Sequence, residues 1–131
     1  MKIFPYQTVK AKNAEGGASK TKVRWLITEE IGAYNFAMRL FEVAPDGSSP
    51  LHTHPWEHEV FILNGEGQLF DGKTALAFKA GDVVFVLPDE RHQFKNTGKK
   101  PLKFLCSYPT LKSDAGRSLR FQLIIYPSCY M

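Results

Sequence analysis

"HEVFIL", residues 58–63, alternates so that His58, Val60 and Ile62 lie on one side of an extended chain and Glu59, Phe61 and Leu63 on the other. The same period of two runs through "KVRWLIT" (22–28), "AYNFAMRLFEV" (33–43), "GQLFD" (67–71), "TALAF" (74–78), "DVVFVL" (82–87), "HQFKN" (92–96), "LKFLCSY" (102–108) and "RFQLIIY" (120–126). Between these runs stand "APDGSSP", "NGEG", "DGK", "KAGD", "PDER" and "NTGKKP", each with the glycine, proline, asparagine or aspartate of a turn. No segment carries a capped apolar stripe at helical spacing. Many short strands without helical crossovers predict an all-β fold, an antiparallel barrel or sandwich. "KNAEGGASK" (12–20) reads as a mobile loop, and "TLKSDAGRS" (110–118) as the connection to one last strand.

A chain of 131 residues with 44% apolar and 23% charged residues is predicted to form one domain over 1–131. The formal net charge of +4 is spread thinly, with only Lys99 and Lys100 adjacent in a turn, so a nucleic-acid partner is not expected. Two cysteines, Cys106 and Cys129, fall short of a disulfide framework. "MKIFPYQTVK" at the start has no apolar signal region, and no run approaches a membrane span. A cytoplasmic protein without a membrane partner is the expectation.

The chemistry is concentrated in the histidines. There are four, and His52, His54 and His58 fall within "HTHPWEHEV" (52–60), while His92 opens "HQFKN". Neutral imidazole offers one lone pair in a defined direction, which makes histidine the commonest protein ligand for transition metals. His52 and His54 share the parity of His58, although Pro55 bends the segment between them. If the strand begun by His92 lies beside 58–63, all four imidazoles converge on one divalent ion. Glu57 and Glu59 are out of parity with His58 and are expected to point elsewhere.

Here the residues resemble a known family. Gly47, His52, His54, His58 and Gly65 are spaced as in the first cupin motif, and Gly81, Pro88, His92 and Asn96 as in the second. The resemblance covers about residues 33–108 and implies a jelly-roll β-barrel holding one divalent metal. The cupin pattern usually places a glutamate where this chain has His58, with six residues between it and Gly65. The chain therefore looks like the four-histidine variant, similar to small manganese-binding cupins. Two turn lengths also differ: the first motif is one residue short before His52 and the second one residue long before Pro88.

Four neutral ligands leave the ion its full charge, which favours anionic or enolisable substrates. The resemblance implies an open site in the barrel mouth, as against a closed structural zinc site. Manganese is the metal it favours, with Fe, Co, Ni, Cu or Zn also suited to imidazole. By parity Leu102, Phe104, Cys106 and Tyr108 form one face of their strand, and Phe94 shares the side of His92. Phe94, Phe104 and Cys106 are expected to line an apolar pocket over the metal. Arg39 interrupts an apolar run; it either enters the barrel to hold a substrate carboxylate or is a solvated edge charge. The resemblance implies a metal-dependent oxidoreductase, dioxygenase-like, acting on a small oxygen-chelating molecule. The alternatives are a cupin isomerase and a non-catalytic module binding a sugar or organic acid. A homodimer is usual in the family, and the barrel edges and the apolar strands at the termini fit one.

Overall fold

In the computed structural model, residues 1–110 are described. The strand expected at 120–126, the connection leading to it and Cys129 lie outside the described residues. Nine strands follow in order: β1 (Lys12–Asn13), β2 (Ser19–Ile27), β3 (Phe36–Ser48), β4 (His58–Asn64), β5 (Glu66–Phe70), β6 (Ala75–Lys79), β7 (Val83–Val86), β8 (Gln93–Asn96) and β9 (Leu102–Pro109). The helical content among these residues is two 3₁₀ turns, at Tyr6–Thr8 and Glu29–Ile31. Every strand pairing among the described residues is antiparallel. The neighbours run β6-β5-β8-β3-β9-β4-β7, with β2 and β1 added on β3. The sheet curls on itself as a half-barrel of jelly-roll type.

β3 makes the curl. Its first half, Phe36–Val43, pairs with β9, and its far end meets β8 where Ser48 faces Lys95. "APDGS", read above as a turn, is instead the continuation of this strand. Asp46 at φ 64 kinks it, and the register with β2 shifts between Ser19 and Thr21. A bulge of this kind bends a strand so that it can serve two parts of one sheet. The segment 12–20 is likewise no mobile loop at its ends: Lys12 and Asn13 pair with Val23 and Lys22, and Ser19 pairs with Ser48. Gly67 is a strand residue, contrary to its turn reading. A Cβ there would stand 2.2 Å from the Lys95 carbonyl oxygen, so the close approach of β8 requires glycine.

The period-two reading holds on the inner face. Along β9 Leu102, Phe104, Cys106 and Tyr108 are buried while the residues between them are only partly covered. Phe104 stacks on Phe41 at 5.1 Å and on Phe94 at 4.8 Å, which ties β3, β8 and β9 together through one column of rings. Val43, Ile62 and Leu102 fill the space beside the column. The histidines lie at one end of this core.

Candidate metal centre

His52 and His92 face each other across an isolated antiparallel bridge, exchanging backbone bonds of 3.1 and 3.0 Å. His58 opens β4 opposite Val86 of β7. His54 lies between, and its carbonyl accepts the Asp89 N–H at 2.7 Å. The "PDER" turn therefore serves both motifs. Asp89 sits in the left-handed region at φ 63, and the Glu90 carboxylate accepts the Leu87 N–H at 2.9 Å. That turn delivers His92 beside His54.

The expected route to convergence needs correction. β8 does not neighbour β4; β3 and β9 intervene. The imidazoles meet across the curled sheet rather than side by side on adjacent strands. Their ring centroids are 4.3 Å apart for His54 and His58, 4.8 Å for His54 and His92, and 5.4 Å for His58 and His92. One nitrogen from each of the four lies within 4.8 Å of the others. Two imidazoles bound on opposite sides of a transition metal would have nitrogens roughly 4 Å apart, so the cluster closes on an ion with small movements.

The second nitrogen of each ring explains its direction. Carbonyl oxygens only accept, so the 2.7 Å contact of His54 Nδ1 with the Trp56 carbonyl fixes the proton on Nδ1. The 2.8 Å contact of His92 Nδ1 with the Glu90 carbonyl does the same. Both rings are left with an Nε2 lone pair, the arrangement of a metal-ligating histidine. The His54 Nε2 atom is buried and has no hydrogen-bond partner among the described residues. A buried acceptor without a partner is costly unless something cationic fills the space, so the four residues fit a divalent ion.

Electrostatics agree with that fit. Burial, then the neighbouring His92 and His52, lowers the His54 pKa to about 3. Burial and then Arg39 hold His58 well below the ordinary imidazole value. Burial also lowers His92, with Glu90 opposing it. Neutral rings are what a metal requires. Glu59 is exposed on the outer face of β4, between Phe85 and Ser107, and Glu57 is half-buried. Neither belongs to the cluster.

Of the other residues singled out in the sequence, Phe94 and Phe104 form the ring column beneath the histidines, with Phe94 6.3 Å from the His92 ring. Cys106 points inward, its sulfur 3.2 Å from His58 Nδ1. Arg39 is 1% exposed and no edge charge. Its guanidinium lies against Trp25 at 5.2 Å, Phe41 at 4.9 Å and Tyr108 at 4.4 Å. Sequence reasoning missed Trp25 and assigned Trp56 no place in the site. Trp56 in fact stacks on His54 at 4.7 Å with an 8° interplanar angle, and lies 6.4 Å from Tyr108. The parity of Trp25 with Thr21 and Val23, both buried, was the available signal. A cleft of about 210 Å³, bounded in part by Leu69, Val86 and Arg91, reaches His92 from the β5–β6 side.

A curled antiparallel sheet with paired histidine motifs at one end defines a class, and comparison with known proteins gives it a name. The cupin domain family matches residues 39–108, and the chain belongs to that family. Over 98% of its length it is 32% identical to the polyketide cyclase RemF from Streptomyces resistomycificus, covering 97% of that chain with a TM-score of 0.77. A predicted oxalate decarboxylase from Thermotoga maritima is 27% identical over 84% of this chain and 100% of its own, with a TM-score of 0.72. Over 69 residues the chain is 38% identical to 1-methylthio-D-xylulose 5-phosphate methylsulfurylase from Rhodospirillum rubrum. That match takes in 53% of this chain and 44% of the relative, so the chain spans less than half of that curated protein.

Proposed function

We propose that this cupin is a metal-dependent enzyme acting on a small, enolisable molecule that chelates through two oxygens. The observation that carries the reading is the neutral cluster: His52, His54, His58 and His92 gathered within 4.8 Å with no carboxylate among them. A divalent ion held there, manganese first and Fe, Co, Ni, Cu or Zn as alternates, supplies Lewis acidity undiminished by ligand charge and, if redox-active, oxygen chemistry. His54 and His92 hold their Nε2 atoms toward the centre through carbonyl bonds at their far nitrogens. Trp56 covers one face of His54 and excludes water from it. Phe94 and Phe104, both buried, make the region beneath the histidines apolar.

Similarity over nearly the whole chain to a polyketide cyclase supports a substrate with closely spaced carbonyl groups. It draws the reaction toward carbon–acid chemistry, with dioxygenase-like turnover as the redox form of the same substrate class. Manganese- and iron-loaded protein is expected to turn over members of a panel of diketones, catechols and enediols. Deuterium exchange followed by NMR without oxygen reports the carbon–acid reaction, and oxygen uptake reports the redox one. Tight binding with neither signal for any metal would make the protein a binding module instead.

We also propose a cytoplasmic homodimer. Its interface would be the outer face of β4 and β7, where Val83 is 74%, Phe85 53% and Phe61 46% exposed. Burying that face in a second copy removes the apolar surface from water. Val83→Glu combined with Phe85→Glu is expected to halve the mass measured by light scattering while leaving the far-UV spectrum unchanged. A wild-type protein that is already monomeric would refute the interface.

A further inference from the structure

Two buried side chains meet beside His58. Arg39 on β3 and Cys106 on β9 are register partners, 1% and 3% exposed. On its other side Cys106 faces Val60 of β4, which brings its sulfur under His58, two residues earlier on the same inward face. Arg39 Nη2 donates to the sulfur at 3.4 Å, and His58 Nδ1 lies 3.2 Å from it. A guanidinium has donors and no acceptor, so the sulfur is the acceptor in the first contact. Faces of Trp25 from β2, Phe41 from β3 and Tyr108 from β9 pack around the guanidinium, and three rings leave its fork little freedom to turn.

The three buried histidines then divide unevenly. His54 and His92 each have a backbone carbonyl at Nδ1, at 2.7 and 2.8 Å. His58 has a side-chain sulfur in the same position. Sulfur can accept from His58 Nδ1–H, or a thiol can donate to a bare Nδ1, and the two cases send the Nε2 lone pair to opposite fates. In the second case Nε2 carries the proton and is lost as a ligand. Only the first case leaves His58, like His54 and His92, an Nε2 lone pair for the centre, and Arg39 braces the arrangement by occupying one sulfur lone pair while the sulfur stays beside His58 Nδ1.

We infer that Cys106, braced by Arg39, is a positioning residue that holds His58 in its Nδ1–H form and so aims Nε2 at the centre. Arg39 and Cys106 act through His58, and neither is needed to touch substrate. The purpose of the device rests on the metal-centre reading; its geometry does not. It also replaces a main-chain acceptor by a longer, softer one, which makes His58 the most adjustable of the three buried ligands.

The test begins with metal-free wild-type protein, in which long-range proton–nitrogen NMR correlations distinguish the two imidazole forms. His58 is expected as Nδ1–H; finding it as Nε2–H overturns the inference. In Cys106→Val the His58 signal should move toward the Nε2–H form, and Zn²⁺ or Mn²⁺ affinity by chelator competition should fall about 10–100-fold. Cys106→Ser, which keeps an acceptor at the site, should restore most of both. Unchanged affinity and an unchanged His58 form in a folded Cys106→Val protein would also overturn it. If that variant does not fold, Arg39→Met should move the same two readouts in the same direction, and no movement there counts against the inference. Wild-type protein that binds neither ion sinks the metal-centre reading alone, because the tautomer is read without metal.

Discussion

Protein purified without chelator is expected to carry about one divalent ion per chain, and His58→Ala to retain less than roughly a tenth of it. His58 is buried at the head of β4, its ring 4.3 Å from that of His54 and 5.4 Å from that of His92. Removing a residue that only orients a ligand already weakens metal binding about 10–100-fold, so removing the ligand should weaken it by more than about a hundredfold. The neighbouring substitution supplies the control. Glu59→Ala alters an exposed side chain on the opposite face of the same strand, and metal content should not change. Elemental analysis of the three proteins reads the outcome. Equal loss from Glu59→Ala would mean that the strand register, and not the imidazole, governs retention.

The second large effect is on stability against acid. In the metal-free fold His54, His58 and His92 are all held neutral below the ordinary imidazole pKa, His54 down to about 3. Unfolded, each takes up a proton as pH falls through 6.5, while folded each does so only at lower pH. The unfolded state then binds more protons, so stability is fully present above about pH 6.5 and is lost as pH falls toward the lowered folded values. Between pH 6.5 and 5.5 the loss should be on the order of 1 kcal/mol for His54, with His58 and His92 adding in the same direction. Urea midpoints of chelator-treated protein at pH 7 and 5.5 measure it, and His54→Phe should flatten the dependence. An unchanged wild-type midpoint would show that the rings are free to protonate in the fold. Protons and metal compete for the same lone pairs, so acid should also release the ion.

Much of this architecture is visible in the chain's alternation. The inward faces of β4 and β9 follow from period two, because each strand has one face in the core and one toward water. The shared side of His52, His54 and His58, and the exclusion of Glu57 and Glu59, follow from the same parity, while the meeting with His92 does not. What the alternation cannot carry is non-local. Nothing in "APDGS" distinguishes a turn from a kink inside β3, because Asp46 and Gly47 suit both. The pairing partners of β4 and β8 depend on how the whole sheet curls, so the true convergence across the barrel was not legible. Arg39 was ambiguous for a related reason. Its environment is assembled from Trp25, Phe41, Tyr108 and Cys106, which come from three strands, and an isolated arginine in an apolar run says nothing about them.

The bridge between His52 and His92 has a bearing on ion choice. Of the four histidines proposed as ligands these two are the farthest apart along the chain, yet two backbone bonds hold them opposite each other. The ladder, and not the metal, closes that long loop, so filling the site requires little ordering of the chain. A cage whose width is set by main-chain geometry cannot contract freely around a smaller ion or spread around a larger one. Ionic radius, in such a frame, becomes a selection criterion written into the β-sheet itself.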